Sequence, residues 1–422
     1  MKQYDEYKDS GIEWLGQIPA HWEVVKLKHE LNNLNHIRVP LSSTQRGDMK
    51  VKQYDYYGAS GVIDKVDDYL FDGDNILIGE DGANLLTRSK TLAFIAKGQY
   101  WVNNHAHILH PKRGSIKYFQ TLLESLDYTP LIVGSAQPKL TQDALMNIFI
   151  VVPPQEEQKK IAQYLDHQTQ VIDALVAKKE ALIEKLQLQR QTIINEAVTQ
   201  GLHPDAPMKD SGIEWLGEIP AHWEVVKLKY LAKKIIDGAH HTPTYVETGI
   251  PFLRVTDIQQ KVIDLSKVKY IPEEEHIVLS KRCNAEVGDV LLSKNGTIGI
   301  TKVIDWEWEF SIFVSLCLIK LNNRLTAYYF SHFFNSSIVD QQIKLASKTT
   351  SVTNLHLEKI RELVIAIPPT REEQYEINEY LSVKLNEFNQ LIEKTKTSIK
   401  KLKTYRQTII SEAVTGKIDV SG

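Results

Sequence analysis

The sequence predicts an α+β chain built twice over: two mixed α/β globular segments, each followed by one long helix. Three observations predict it. The stretch KDSGIEWLGQIPAHWEVVKLK (Lys8–Lys28) returns at Lys209–Lys229 with one change, Gln17 becoming Glu218. The segment after each copy is rich in short apolar and β-branched runs bounded by turn residues. Each half then ends in a stretch without Gly or Pro, running to RQTIINEAVT (Arg190–Thr199) and RQTIISEAVT (Arg406–Thr415). A repeat of this size is far longer than a solenoid period, so each copy is a domain pair.

Composition sets outer bounds. A chain of 422 residues holds two or three domains with proper cores. Cys283 and Cys317 are the only cysteines, which argues against a disulfide framework and fits a reducing cytoplasm. No four-ligand zinc spacing occurs, and no metal site is expected. No apolar run is long enough to span a bilayer, and Met1–Gly16 is polar and acidic, unlike a signal peptide. The formal net charge of −3 excludes a uniformly basic nucleic-acid binder. It leaves room for a local basic face.

In chain order the repeated block comes first. There Trp14, Leu15, Trp22, Val24 and Leu27 read as packing residues, with Gly16 and Pro19 setting turns. Near-identical residues cannot distinguish two ligands, so the block reads as framework. We expect the first copy to pack beside the second helix and the second copy beside the exit of the first. That arrangement would give the chain an approximate twofold axis. Residues 29–138 and 230–350 are strand-rich and vary between the halves. DGDNILIGEDGANLL (Asp72–Leu86) and EVGDVLLSKNGTIGI (Glu286–Ile300) share a Gly-Asp, an apolar strand and a Gly turn, as expected of one scaffold carrying different loops. EDG (Glu80–Gly82) reads as a loop, and PEEEH (Pro272–His276) as a helix start. KLTQDALMNIFIVVPP (Lys139–Pro154) and NLHLEKIRELVIAIPP (Asn354–Pro369) each predict a short helix, then a strand ending at a proline pair.

Proline and acidic residues then open each long helix, and Thr370 with Glu373 makes a capping-box pattern. Each helix has about 45 residues, roughly 65–70 Å at 1.5 Å per residue. The apolar stripe is Ile161, Leu165, Ile172, Leu175, Ile183, Leu186 and Ile194 in the first. In the second it is Ile377, Leu381, Phe388, Leu391, Ile399, Leu402 and Ile410. Its eleven-residue period, as in Ile161, Ile172, Ile183 and Ile194, predicts a nearly straight or slightly right-handed pairing. Neither stripe can be buried on its own globular unit alone. The other helix of the same chain matches in length and period, and self-association is the competing partner. The expected boundaries are 1–153 (with block 8–28), helix 154–200, linker 201–208, 209–368 (with block 209–229), helix 369–416 and tail 417–422.

Candidate contact residues cluster at turns of the variable segments. In the first they are Arg88, Lys90, Asn103, His105, His107, Lys112 and Arg113. In the second they are His240, His241, Thr242, Arg254, Thr256, Lys294, Asn295, Thr297, Lys348 and Thr349. Asn pairs with adenine edges, Arg and Lys with guanine, and Lys and Thr hold phosphates. In YWVNNHAHIL (Tyr100–Leu109), alternation puts Trp101, Asn103, His105 and His107 on one strand face, and Val102, Asn104, Ala106 and Ile108 on the other. A solvated face or a plain turn is the competing reading for these residues. On the second helix, Lys394, Lys396, Lys400, Lys401, Lys403 and Arg406 form a basic run that is either a solvated face or a contact for DNA or an acidic partner. No catalytic constellation is found: there is no phosphate-binding Gly-x4-Gly-Lys-Ser/Thr loop and no Gly-x-Ser-x-Gly elbow. Three functions compete: a DNA-sequence reader, a scaffold whose paired helices hold two protein-binding domains, and an enzyme with tandem active sites. The variable segments share no catalytic residues, which argues against the last.

The ordered set DSGIEWLG.IPAHWEV.KLK, PP.EEQ..I..YL and RQTII.EAVT resembles the specificity (S) subunit of type I restriction-modification enzymes, and the match spans essentially the whole chain. The resemblance implies two target recognition domains separated by two long antiparallel coiled-coil-like helices. Each domain would read one half of a split, asymmetric site in double-stranded DNA. The helices would act as a spacer and dock two methyltransferase (M) subunits, which carry S-adenosylmethionine and methylate adenine. Restriction (R) subunits, using ATP and Mg, would complete the nuclease. The S subunit itself holds no cofactor and no catalytic residue in that family.

Overall fold

The computed structural model describes residues 2–134, 137–260, 262–345 and 354–420. The chain divides into two compact units, Met1–Glu180 with Lys396–Gly422, and Ala181–Thr395. The long helices are Gln155–Thr199 and Arg371–Val414. Each unit therefore holds one repeat block, one variable segment, the start of one long helix and the end of the other.

In the first unit the block folds back on itself. Tyr7–Asp9 pairs antiparallel with Gln17–Pro19, and the link is closed by Ser10 N–H donating to Gly16 O at 3.0 Å. The next strand, Glu23–Lys26, pairs with Phe149–Val152. That partner is the expected strand before the prolines, and the short helix Gln142–Met146 precedes it. The block is thus hydrogen-bonded to the segment that launches the long helix. Trp22 is fully buried, and its indole Nε1 donates to Glu157 at 3.1 Å. The same carboxylate accepts from Tyr4 Oη at 2.5 Å and lies 2.9 Å from His21 Nε2. Just past the end of the second helix, Gly416 adopts φ +73°, and a Cβ there would meet Pro19 Cδ at 2.3 Å. Only glycine fits both the left-handed backbone and that close approach. Ile409, Ala413 and Val414 share one core with Leu15, Ile18 and Trp22.

The second unit repeats the arrangement. Met208–Asp210 pairs with Glu218–Pro220, and Glu224–Lys227 with Val364–Ile367. Trp223 Nε1 donates to Glu373 at 2.8 Å, and His222 Nε2 lies 3.1 Å from that carboxylate. Gly201, at φ +74°, sits against Trp223, and Ile194, Ala197 and Val198 share a core with Leu216, Ile219 and Trp223. So each block packs on a helix end, the first on the second helix and the second on the exit of the first. The Thr370 cap forms, with Glu373 N–H donating to Thr370 Oγ1 at 3.3 Å. The Glu373 side chain does not close the box, because it is held by Trp223 and His222.

Both variable segments are built on the same sheet. In the first its strand order is Leu31–Asn33, Ala106–Pro111, Asn75–Gly79, Ala93–Ala96. In the second it is Ala232–Asp237, Leu316–Leu321, Val290–Ser293, Thr301–Val303. A further sheet in each contains one parallel pair: Tyr54–Gly58 with Gln99–Val102, and Ile250–Leu253 with Ser311–Ile312. A helix then crosses back, Ile116–Ser125 or Ala327–Phe334. From it, buried Tyr118 donates to the carbonyls of Val151 and Val414 at 3.0 and 3.3 Å. Tyr329 donates to those of Ala366 and Val198 at 2.8 and 3.3 Å. Burial pushes both phenols well above their ordinary pKa. Gln158 and Gln374, beside the two glutamates, are buried likewise. Their amide oxygens accept from the backbone of Ser115 at 3.0 Å and Thr326 at 2.8 Å, so each closes the start of the crossing helix.

The helix stripe is buried at Ile161, Leu165, Ile172, Leu186, Ile194, Ile377, Leu381 and Ile399. Ile183, Phe388, Leu402 and Ile410 are half-buried. Leu175 and Leu391 depart from the expected stripe: they are 41% and 45% exposed, while their neighbours Val176 and Ile392 are 8% and 7% exposed. At about 100° per residue, Val176 lies roughly 40° from Ile172, and Leu175 roughly 60° the other way. Within the first unit, Asp173 pairs with Arg406 at 2.9 Å and Glu180 with Lys403 at 3.2 Å. Two members of the basic run are therefore partnered by the first helix.

Candidate nucleic-acid interface

The loops that differ between the variable segments emerge at one end of the shared sheet. In the first unit the fully buried strand Asn75–Gly79 ends at Glu80. Glu80 is 9% exposed and is held by Arg38 Nη1 at 2.6 Å and Lys139 Nζ at 3.2 Å. Burial works to raise its pKa, but Arg38, His107 and Lys139 outweigh it and leave the carboxyl below its ordinary value. The EDG stretch is therefore a loop with an ionic anchor inside it.

His107 is fully buried, its Nδ1 2.8 Å from Asn35 Nδ2 and its Nε2 2.8 Å from Leu140 O. Burial lowers its pKa. The expected single strand face does not exist here. One strand ends at Val102 and the next starts at Ala106. Between them the Asn103 side chain accepts from His105 N–H at 2.8 Å, turning the chain. The alternation breaks at that turn, so Asn103 is buried, Asn104 is exposed and His107 points inward. His105 is exposed, its Nδ1 2.7 Å from Asp81. The structure thus brings His105 to Asp81 and His107 to within 3.7 Å of Glu80, with Asn103 holding the turn and only His105 outside.

The other first-segment candidates lie elsewhere. Arg88 takes φ +49°, and its guanidinium donates to the carbonyls of Glu124 and Leu126 at the end of the crossing helix. Lys112 and Arg113 sit at the opposite end of the Ala106–Pro111 strand. There Lys112 donates to Lys28 O at 2.8 Å and Arg113 pairs with Glu30 at 2.9 Å. Lys90 is exposed on the turn after Asn84–Thr87.

The second unit fills the same end of its sheet with other chemistry. Lys294 is 5% exposed and pairs with Asp237 at 3.2 Å. It is a buried ion-pair member rather than an open contact. His240 lies 3.4 Å from the same Asp237, and His241 lies 3.1 Å from Glu275. Both rings are exposed, as are Thr242 and Thr297. Arg254 folds onto Asp257 at 3.2 Å, and that carboxylate also accepts from the Arg254 backbone N–H at 2.8 Å and lies 3.3 Å from Thr256 Oγ1. Lys348 and Thr349 lie outside the described residues.

The two loop ends are equivalent in backbone terms. Leu140 N–H donates to Glu80 O at 2.8 Å, and Leu355 N–H donates to Lys294 O at 2.7 Å. One residue on, Asp81 bridges Lys139, and Asn295 bridges Asn354. The side chains at these matched positions are different in kind: an acid with a base, against two amides. Among the described residues no group of acidic, His or Cys side chains could hold a metal ion.

Sequence reasoning alone does not find the framework pairs Glu157/Glu373, Gln158/Gln374 and Tyr118/Tyr329. Their signal is present as EEQ after each proline pair, where helix-dipole chemistry already accounts for the acidic residues. SIKYF and TAYYF carry the tyrosines at matching places.

A family model described as the type I restriction modification DNA specificity domain matches residues 19–185 and 220–401. The chain belongs to that family. A Haemophilus influenzae protein, provisionally named as a type I restriction enzyme specificity subunit, is 24% identical over 81% of this chain and 82% of its own length. The MjaIX specificity subunit of Methanocaldococcus jannaschii is 23% identical over 98% of this chain and 97% of that one. A chain from a solved type I R-M system shares the fold of this specificity-family member at TM-score 0.67 and 18% identity, covering 94% of this chain and 98% of the other. The HsdS subunit from Thermoanaerobacter tengcongensis does so at TM-score 0.53 and 17% identity, over 94% and 98%.

Proposed function

We propose that the chain is the DNA-reading specificity subunit of a type I restriction-modification complex, without a catalytic role of its own. Each variable segment, as a target recognition domain within 1–153 or 209–368, reads one half of a bipartite, asymmetric site in double-stranded DNA. The two long helices pair antiparallel, set the gap between half-sites and dock two methyltransferase subunits that methylate adenine. S-adenosylmethionine belongs to those subunits, and ATP and Mg to restriction subunits that join them. The candidate contact residues still exposed at the loop ends, His105, His240, His241, Thr242 and Thr297, belong to this reading surface.

One observation carries the reading. The two units keep the same framework, Trp22 on Glu157 and Trp223 on Glu373, yet fill the matched loop ends with different side chains. A duplicated frame holding different surfaces suits two different half-sites. It does not suit tandem active sites, which need the same groups twice. The test is co-expression with the candidate methyltransferase subunit and genome-wide mapping of methylated adenine. A single bipartite motif is expected, and the absence of any motif overturns the reading. Affinity for the site should fall steeply with added salt, because phosphate contacts release counterions. A salt-insensitive ligand would favour the protein-binding scaffold.

A further inference from the structure

The matched bridges differ in whether their side chains are satisfied. In the first unit Asp81 lies 2.7 Å from His105, and Lys139 pairs with Glu80 at 3.2 Å. In the second unit neither Asn295 nor Asn354 makes a side-chain hydrogen bond among the described residues. The Oδ1 atoms of both are shielded from water and without a partner. Native proteins rarely leave such atoms unpaired, and each case asks for an explanation. Both residues remain partly exposed, and Gly296 and Thr297 beyond Asn295 are exposed.

We infer that Asn295 and Asn354 are specificity-determining residues of the second recognition domain, held in register by their backbone bridge to hydrogen-bond a base edge. Both residues are partly exposed, so an amide that rotates its shielded Oδ1 out into the groove offers one acceptor and one donor, the complement of the adenine N6 and N7 pair. The backbone positions are set by the shared sheet, so the bridge is a fixed mount for exchangeable side chains. Asp81 and Lys139 occupy the mount in the first domain, where their charges are spent internally and His105 is the outward group. The two domains would then differ at this mount in which bases they accept.

This inference rests on the DNA-reading function proposed above. The full chain in complex with its methyltransferase partner is assayed on a randomised DNA library, by binding selection and by methylation. The variants are Asn295→Ala, Asn354→Ala and the exchange Asn295→Asp with Asn354→Lys. The single variants are expected to lose at least about tenfold discrimination (about 1.4 kcal/mol) at one base pair of one half-site. The other half-site should be unchanged, which also reports that the chain is folded and assembled. The exchange should alter the preferred base at that position. An unchanged motif, or an affinity loss spread evenly over all positions, overturns the inference while leaving the bipartite function standing. A wild-type complex with no bipartite preference removes the function and the inference together.

Discussion

At the residue scale, the framework depends on a few buried polar groups whose partners are far away in sequence. Glu157 takes Tyr4, His21 and Trp22 together, and Glu373 takes His222 and Trp223. Removing either carboxylate leaves an indole N–H buried without an acceptor. Glu157→Ala and Glu373→Ala should each cost about 1–3 kcal/mol, read as a lower urea midpoint of the full chain. Glu157→Gln keeps one acceptor oxygen and should cost less. The buried histidines set a pH dependence. Burial holds His107 and His332 below the ordinary value of 6.5, against the opposing hydrogen bonds to Leu140 and Asn378. Below 6.5 the unfolded chain therefore binds more protons than the folded one. Their contribution is complete above 6.5 and is lost as pH falls from there towards the lowered folded values. The urea midpoint should be lower at about pH 5.5 than at about pH 7.5, and His107→Gln should flatten that difference. The partly buried Glu80, also lowered, adds its loss only nearer 4.5, so the two effects separate on the pH axis.

At the element scale, legibility in the sequence tracks the range of the interaction. The long helices, the helix and strand before each proline pair, and the repeat block are readable because their signals are local or are stated twice. The Val102–Ala106 break is not, because period-two counting assumes a continuous strand and the Asn103 turn is a single side-chain bond. Lys294 looks like a surface residue in the sequence because its partner Asp237 comes from a different strand. The stripe is off by one residue at Leu175 and Leu391, because apolar spacing alone cannot decide between adjacent Leu and Val or Ile. The phase is fixed by what packs against the helix. The eleven-residue period makes its own prediction. Adding eleven residues to each long helix advances it by about 16 Å and turns its face by only roughly 20°. The lengthened complex should methylate sites whose gap is longer by roughly five base pairs, at 3.4 Å each. Four residues per helix should give a smaller increase. Methylation at the original gap by both lengthened chains would rule out the helices as the ruler.

At the scale of the whole molecule, each unit is completed by a helix end from the other half of the chain. The first unit takes Lys396–Gly422 and the second takes Ala181 onward. Tyr118 reaches Val414, and Tyr329 reaches Val198, so each variable segment is fastened to the start of its own helix and the exit of the other. Four fastenings of one unit recur in the other: Trp22 and Trp223, Glu157 and Glu373, Gln158 and Gln374, Gly416 and Gly201. The surroundings of the two segments are therefore interchangeable, and specificity should travel with the segment alone. Replacing residues 228–363 with 27–148 joins the same paired strands, Glu23–Lys26 with Phe149–Val152 and Glu224–Lys227 with Val364–Ile367. The duplicated chain, assembled with its methyltransferase partner, should then methylate a site that carries the same half-sequence twice, with the original gap. Survival of the original asymmetric motif would mean that the framework, not the variable segment, carries the specificity.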